Sequence, residues 1–269
     1  MIFLQPAVFH ARPRSYFVQS GLMKASRNKF IKMVSAIGHC LVKPALLRRT
    51  LAGLYNERLI HAGSIPRVTI EALGIAGWES RLVDFVPEQG NVTVVEMLCL
   101  CLMARAYGCR NVLELGTFNG NTTLQLAANL SDGAAITTLD LPLESTGVSA
   151  NNSHDSSLVV AEARQRHRYE GTAYAERITQ VYGNSLEADF STLCSAAPDF
   201  IFIDAGHSDE CVRNDTEKSL RILAPGGIIV WHDYSQDWPD VYDYLEELSV
   251  RLALRHVEGT TLVVFRSPS

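Results

Sequence analysis

The stretch Asn111-Val-Leu-Glu-Leu-Gly-Thr-Phe-Asn-Gly-Asn-Thr-Thr123 decides how this chain is read. It begins as an apolar run, Val112 to Leu115, with one carboxylate inside it at Glu114. Gly116 and Gly120 break the run. Leu124, Leu126, Ala127 and Leu130 then line one face of a helical stretch, Thr122 to Leu130. A strand, a glycine turn and a helix bring backbone amides and a helix N-terminus up to a ligand. Gly116, lacking a Cβ, lets the backbone turn sharply and approach that ligand closely.

Outward from this stretch the same alternation continues. Before it, Thr93-x-x-Glu96 is a capping box for a helix to about Tyr107, ended by Gly108. That helix is apolar nearly all round, so it is expected to be buried. After it, Ala135 to Leu139 reads as a strand ending in Asp140, residues 142 to 158 as a polar loop, and Val159 to Tyr169 as a helix. Ile178 to Tyr182 is a strand leading to Gly183-Asn184-Ser185, and Asp199 to Ile203 a strand ending at Asp204. Ser208 to Leu223 reads as a helix, Pro225-Gly-Gly227 as a turn, and Ile228 to Trp231 as a strand ending at His232-Asp233. Val241 to Leu252 is a last helix. Leu254 to Val257 and Thr261 to Phe265 form a closing antiparallel hairpin around Gly259-Thr260. The fold class is α/β: a Rossmann-like, doubly wound, mostly parallel sheet with a C-terminal antiparallel hairpin and a helical N-terminal extension. Residues 93–269 make the main domain. Residues 1–92 make a basic, mainly helical extension with a connector over 62–92.

In such sheets ligands bind beyond the carboxyl ends of the strands. Gly116, Asp140, Asn184-Ser185, Asp204 to His207 and His232-Asp233 all fall at or just after strand ends, so they converge on one rim. Asp140 follows Gly116 by twenty-four residues, the place where an acid accepts hydrogen bonds from ribose hydroxyls. A dinucleotide pyrophosphate favours Gly-x-Gly-x-x-Gly, whereas here Phe118 stands where the middle glycine would be. That points to a nucleoside ligand without phosphates.

Charge excludes one class of partner. Residues 1 to 56 hold nine Lys or Arg and no acid, while the rest holds fifteen basic and twenty-nine acidic residues. Nucleic-acid binding by the main domain is therefore not expected. The basic segment, with Phe30, Ile31, Met33, Val34, Ile37, Leu41 and Val42 at helical spacing, leaves open a peripheral membrane contact or a homo-oligomer contact. Leu46 to Leu59 reads as a second helix. None of the six cysteines forms a CxxC pair, and Cys99 and Cys101 read as buried free thiols, fitting a reducing, cytoplasmic setting. No apolar run reaches the roughly twenty residues of a membrane helix.

The motifs Glu114-Leu-Gly-Thr-Phe-Asn-Gly120, Thr138-Leu-Asp-Leu-Pro142, Gly183-Asn-Ser185, Asp199-Phe-Ile-Phe-Ile-Asp-Ala-Gly-His207 and Pro225-Gly-Gly-Ile-Ile-Val-Trp-His-Asp-Tyr234, in this order, resemble the class I S-adenosylmethionine-dependent methyltransferases. The likeness is to an O-methyltransferase branch with Phe-Ile-Asp-x-x-His and Trp-His-Asp-Tyr elements, over about residues 93 to 266. The resemblance implies that Glu114 and Gly116 hold the amino-acid end of S-adenosylmethionine, with Gly120 opening the helix beside it and Thr117 also among the cofactor-binding residues. It implies that Asp140 binds the ribose, Leu141 packs on the adenine, and Asn184 or Ser185 reaches the adenine's polar edge. Asp204 lies at the join of cofactor site and reaction centre.

Methyl transfer to a hydroxyl needs a base or a metal to make the oxygen nucleophilic. Asp204 and Asp233 end adjacent strands and can share a divalent ion such as Mg²⁺, with His232 as a further ligand or as an orienting neighbour. Imidazole suits Mg²⁺ poorly, which shifts the choice toward another divalent metal. His207, three residues after Asp204, is the candidate base. Asp215 reads as an exposed helix carboxylate. The expected activity is O-methylation of a small-molecule or sugar hydroxyl. The alternatives are a metal-dependent hydroxylase-like enzyme on the same fold, or a non-catalytic nucleoside-binding protein.

Overall fold

The computed structural model describes residues 63–87, 90–142 and 166–269. The chain divides into two units, Met1–Arg58 and Leu59–Ser269, and every described residue lies in the second. The expected helices before residue 60, the start of the expected helix at Val159 and most of the 142–158 loop lie outside the described residues.

Eight strands form one sheet: β1 (Arg67–Val68), β2 (Asn111–Leu115), β3 (Ala135–Asp140), β4 (Ile178–Tyr182), β5 (Phe200–Ile203), β6 (Ile228–Trp231), β7 (Arg255–Val257) and β8 (Val263–Arg266). Their spatial order is β1-β7-β8-β6-β5-β2-β3-β4. Strands β2 to β6 pair in parallel with their neighbours, and β8 joins β6 and β7 antiparallel. Among the described residues four α-helices accompany them: α1 (Val94–Ala106), α2 (Asn121–Asn129), α3 (Asp209–Ile222) and α4 (Pro239–Ser249).

The apolar strands serve two cores because side chains alternate across a sheet. Val112, Phe200, Phe202, Ile228 and Val230 pack on one face with Met97, Leu100 and Met103 of α1 and Leu126 of α2. Leu113, Leu115, Ile201, Ile203 and Trp231 pack on the other with Val212 of α3 and Leu245 and Leu248 of α4. Glu114 therefore faces the α1–α2 side, between Val112 and the end of its strand. Helix α1 starts as its sequence dictates: Thr93 accepts from the Glu96 amide, and the Glu96 side chain accepts from the Thr93 amide. Cys99 and Cys101 are buried free thiols.

Two expectations are corrected. The stretch read as a connector contains β1, paired in parallel with β7, and the buried Ile65 and Ile75. A two-residue strand carries too little periodicity to be seen in sequence. Residues 166–169, the end of the expected helix, form a bend and turn instead.

Candidate active site

Backbone hydrogen bonds continue the sheet past the strand ends and pin the rim. Gly183 N donates to Asp140 O, Gly116 N to Leu139 O, Asp204 N to Leu115 O and His232 N to Ile203 O, at 2.9 to 3.1 Å. The ends of β3, β2, β5 and β6 are thus held side by side.

At the end of β2, Gly116 has φ 97°, and a Cβ there would stand 1.9 Å from the Asp204 carbonyl oxygen. The glycine is required by the neighbouring strand as much as by any ligand. Gly116→Ala is expected to destabilise the protein by at least about 3 kcal/mol; chemical denaturation giving a change below ~1 kcal/mol would contradict this close approach. Thr117 Oγ1 lies 2.6 Å from Thr138 Oγ1 and accepts from Gln180 Nε2 at 3.1 Å. Gly120, φ 74°, caps α2, and a Cβ there would strike the Tyr169 ring at 2.8 Å. The Arg168 amide donates to Asn119 O, so residues 167–169 lie against the turn.

Asp140 is nearly buried, and its two oxygens accept the amides of Phe118 (2.9 Å) and Leu141 (2.7 Å). It ties the glycine turn to the chain leaving β3. Phe118 has φ 49°, an uncommon conformation for a side-chain-bearing residue. Glu114 is fully buried. Its Oε2 accepts from Thr123 of α2 at 2.5 Å, while Oε1 has no hydrogen-bond partner. Burial pushes its carboxyl up to about 8, with hydrogen bonds from Thr123 and Thr138 acting the other way.

After β4, Asn184 Oδ1 accepts the Leu186 amide at 3.0 Å, an Asx turn. The Ser185 carbonyl accepts from Asn214 Nδ2 (3.0 Å) and Lys218 Nζ (2.8 Å), and Lys218 also reaches the carbonyls of Leu186 and Ala188. Asp215 beside them is fully buried, not exposed as expected. Its turn of α3 faces this loop, so burial raises its carboxyl pKa while Ser185 and Asn214 act against that.

Past β5 and β6 stands an acid–histidine cluster. His207 Nε2 lies 2.8 Å from Asp233 Oδ2, and its ring stacks on Trp238 with centroids 3.8 Å apart. His232 Nδ1 lies 3.1 Å from Asp204 Oδ1 and 3.2 Å from Asp233 Oδ1, while its Nε2 faces Glu96 Oε2 at 3.4 Å. Desolvation disfavours the His232 cation, but the charges of Asp204 and Asp233 overcome this and hold its pKa well above the usual histidine range. For Asp233 too burial acts upward, and His232 and His207 outweigh it, leaving its pKa well below the ordinary carboxylate range. Asp233 has φ 63°, a left-handed conformation that aims the carboxylate back between the two imidazoles. The nearest ligand atoms of Asp204, His232 and Asp233 all lie within 4.8 Å of one another.

Residues 113–234 match the family of methyltransferase domains. A Mycobacterium tuberculosis protein named for O-methyltransferase activity is 29% identical over 158 residues, 59% of this chain and 62% of that protein. Over residues 113–234 the chain is similar to this family of methyltransferase domains. A Mycolicibacterium vanbaalenii relative, also named as an O-methyltransferase, is 26% identical over 158 residues, 59% of this chain and 61% of its own length. The chain thus spans less than two thirds of the length of these curated relatives. Among solved structures, the O-methyltransferase of Bacillus cereus in complex with SAH is similar at TM-score 0.49 and 19% identity, covering 68% of this chain and 84% of that one. The family match and the named relatives favour neither the hydroxylase-like nor the non-catalytic alternative.

The matched methyltransferase domain runs from within β2 to Tyr234 and so includes every expected site residue. Four other residues of the site have no functional reading in sequence. Glu96 is legible only as a helix cap, Trp238 only as an apolar residue before α4. Gln180 and Lys218 carry no signal at all, because their partners lie 63 and 33 residues away. Among the described residues no helix is long and apolar enough to cross a membrane.

Proposed function

We propose that this protein is an S-adenosylmethionine-dependent O-methyltransferase acting on a hydroxyl of a small molecule or sugar. One observation carries the proposal. The glycine turn with Glu114, the Asp140 carboxylate and the His207–Asp233 pair stand at the carboxyl ends of four adjacent parallel strands. The residues fit the cofactor at a specific atom: the partnerless, buried Glu114 Oε1 lacks the cationic donor that an amino-acid ammonium group supplies. Asp140 supplies ribose acceptors, Leu141 an apolar surface for the adenine, and the Asn184–Ser185 loop polar contacts at its edge. Bound S-adenosylmethionine supplies an electrophilic methyl group on a sulfonium.

His207 acts as the base. Asp233 Oδ2 lies 2.8 Å from Nε2 and, by accepting its proton, favours the tautomer in which Nδ1 is the basic nitrogen. Stacking on Trp238 restricts the ring to that orientation. A divalent ion also fits: three carboxylates, Glu96, Asp204 and Asp233, surround one imidazole, so the cluster carries surplus negative charge. Asp204, His232 and Asp233 would hold the ion, which supplies Lewis acidity to the acceptor oxygen.

Calorimetry with S-adenosylhomocysteine tests the cofactor reading. One site is expected, weakened about 10-fold or more by Asp140→Ala. Well-folded wild-type protein that binds none would end the proposal. A screen of hydroxylated acceptors with methyl-labelled cofactor then identifies the substrate class.

A further inference from the structure

Glu96 connects three distant parts of the chain at one carboxylate. It sits in the first turn of α1 and is only 3% exposed. Its Oε1 accepts the Thr261 amide and hydroxyl, both at 2.8 Å. Its Oε2 accepts the Thr93 amide at 2.9 Å and the Thr93 hydroxyl at 2.7 Å, and faces His232 Nε2 at 3.4 Å. A helix cap alone needs one oxygen and no burial. Here the second oxygen ties in the chain between β7 and β8, and the capping oxygen reaches across to the rim.

The chemistry of this contact has a direction. An ionised carboxylate only accepts, so Nε2 donates to Glu96 and, without an ion, Nδ1 donates to Asp204 and Asp233; a bound divalent ion would take the place of the Nδ1 proton. The four Thr93 and Thr261 donors hold Glu96 in place and favour its ionised form. His232 is thereby turned with Nδ1 toward Asp204 Oδ1 and Asp233 Oδ1. A histidine ligand commonly donates its remote N–H to a carboxylate, which fixes the ring and the tautomer and makes the ligating nitrogen more basic.

We propose that Glu96 is a positioning residue for a metal site, presenting His232 Nδ1 together with Asp204 and Asp233 to one divalent ion. The inference rests on the metal-assisted form of the proposed function. A donor set of one imidazole nitrogen and two carboxylates favours Mn²⁺, Co²⁺ or Zn²⁺ over Mg²⁺, whose preferred partners are oxygens.

The test measures Mn²⁺ binding to the full chain by electron paramagnetic resonance, alongside S-adenosylhomocysteine binding and thermal melting. Wild type is expected to bind one Mn²⁺. Glu96→Gln should weaken it about 10- to 100-fold with S-adenosylhomocysteine affinity kept. Thr93→Ala, which loses the cap but keeps the Glu96–His232 contact, should melt earlier and bind Mn²⁺ within about 3-fold of wild type, below that outer-carboxylate effect. Equal Mn²⁺ affinity in wild type and Glu96→Gln overturns the inference, and so does an equal loss in Thr93→Ala and Glu96→Gln. Wild type that binds S-adenosylhomocysteine but no Mn²⁺ overturns it too, and leaves the methyltransferase reading standing. If Glu96→Gln does not fold, wild type labelled with ¹⁵N-histidine decides. Hyperfine coupling of one nitrogen to Mn²⁺ upholds the assignment, and no coupling overturns it.

Discussion

Replacing His207 by alanine is expected to lower turnover about 10²- to 10⁴-fold while S-adenosylhomocysteine affinity changes only a few-fold. The asymmetry follows from where the ring sits. It pairs with Asp233 and stacks on Trp238, beyond β6, whereas Glu114, Gly116 and Asp140 stand at the ends of β2 and β3. A base contributes to the transition state and little to cofactor binding, so kcat falls and KM for cofactor holds. The cavity left against Trp238 also admits a small base. Added imidazole should restore part of the lost turnover, which a purely structural role for His207 would not allow. Full activity in His207→Ala would remove it from the mechanism and leave activation of the hydroxyl to a metal alone.

The second large effect concerns Glu114. Burial raises its carboxyl to about 8 from 4.5. Between these values the folded protein keeps a proton that the unfolded chain has released. Stability therefore falls as pH rises through that window and levels off above it. The full span corresponds to at most about 5 kcal/mol. Glu114→Gln should abolish the slope between pH 5 and 8 in denaturant unfolding. Glu96 and Asp233, with lowered pKa values, act with the opposite sign: their contribution is present above the ordinary carboxylate range and is lost on acidification below it. The windows are separate, so the two effects can be read independently. An ammonium group reaching Oε1 would pull the Glu114 pKa back down. Binding of S-adenosylhomocysteine near pH 7 should then release a proton, seen as a calorimetric enthalpy that depends on the ionisation heat of the buffer. The same pH slope in Glu114→Gln, with no proton released by wild type, would place the ammonium elsewhere.

Both predictions use residues that stand out in the amino-acid sequence alone, because each lies in or just past an apolar strand. The runs before Asp204 and His232 are continuous and apolar, as strands buried on both faces are, while Val112 to Leu115 is interrupted by Glu114 and the run before Asp140 by Thr137 and Thr138. Glycine after one, acids after two and His232-Asp233 after the last mark the carboxyl rim. The Thr93–Glu96 cap is equally plain, being a local pattern with a local hydrogen bond. Strand β1 is hidden, since two residues hold no period and its partner β7 lies at the far end of the chain.

The sequence by itself determined the alternation of elements, the composition of the rim and its order along the chain, because these follow from neighbours within a few residues. Only the tertiary structure decided how the rim is wired. Gly116 is needed because the Asp204 carbonyl crosses it. Asp215 is buried against the loop after β4. His207 pairs with Asp233, while His232 turns between Asp204 and Glu96. The contacts of Gly116, His207 and His232 with Asp204 and Asp233 join groups brought together by sheet order, β2-β5-β6, and those of Asp215 and Glu96 by helices packed on the sheet; a side chain's type and place in the chain carry no record of which element lies beside it.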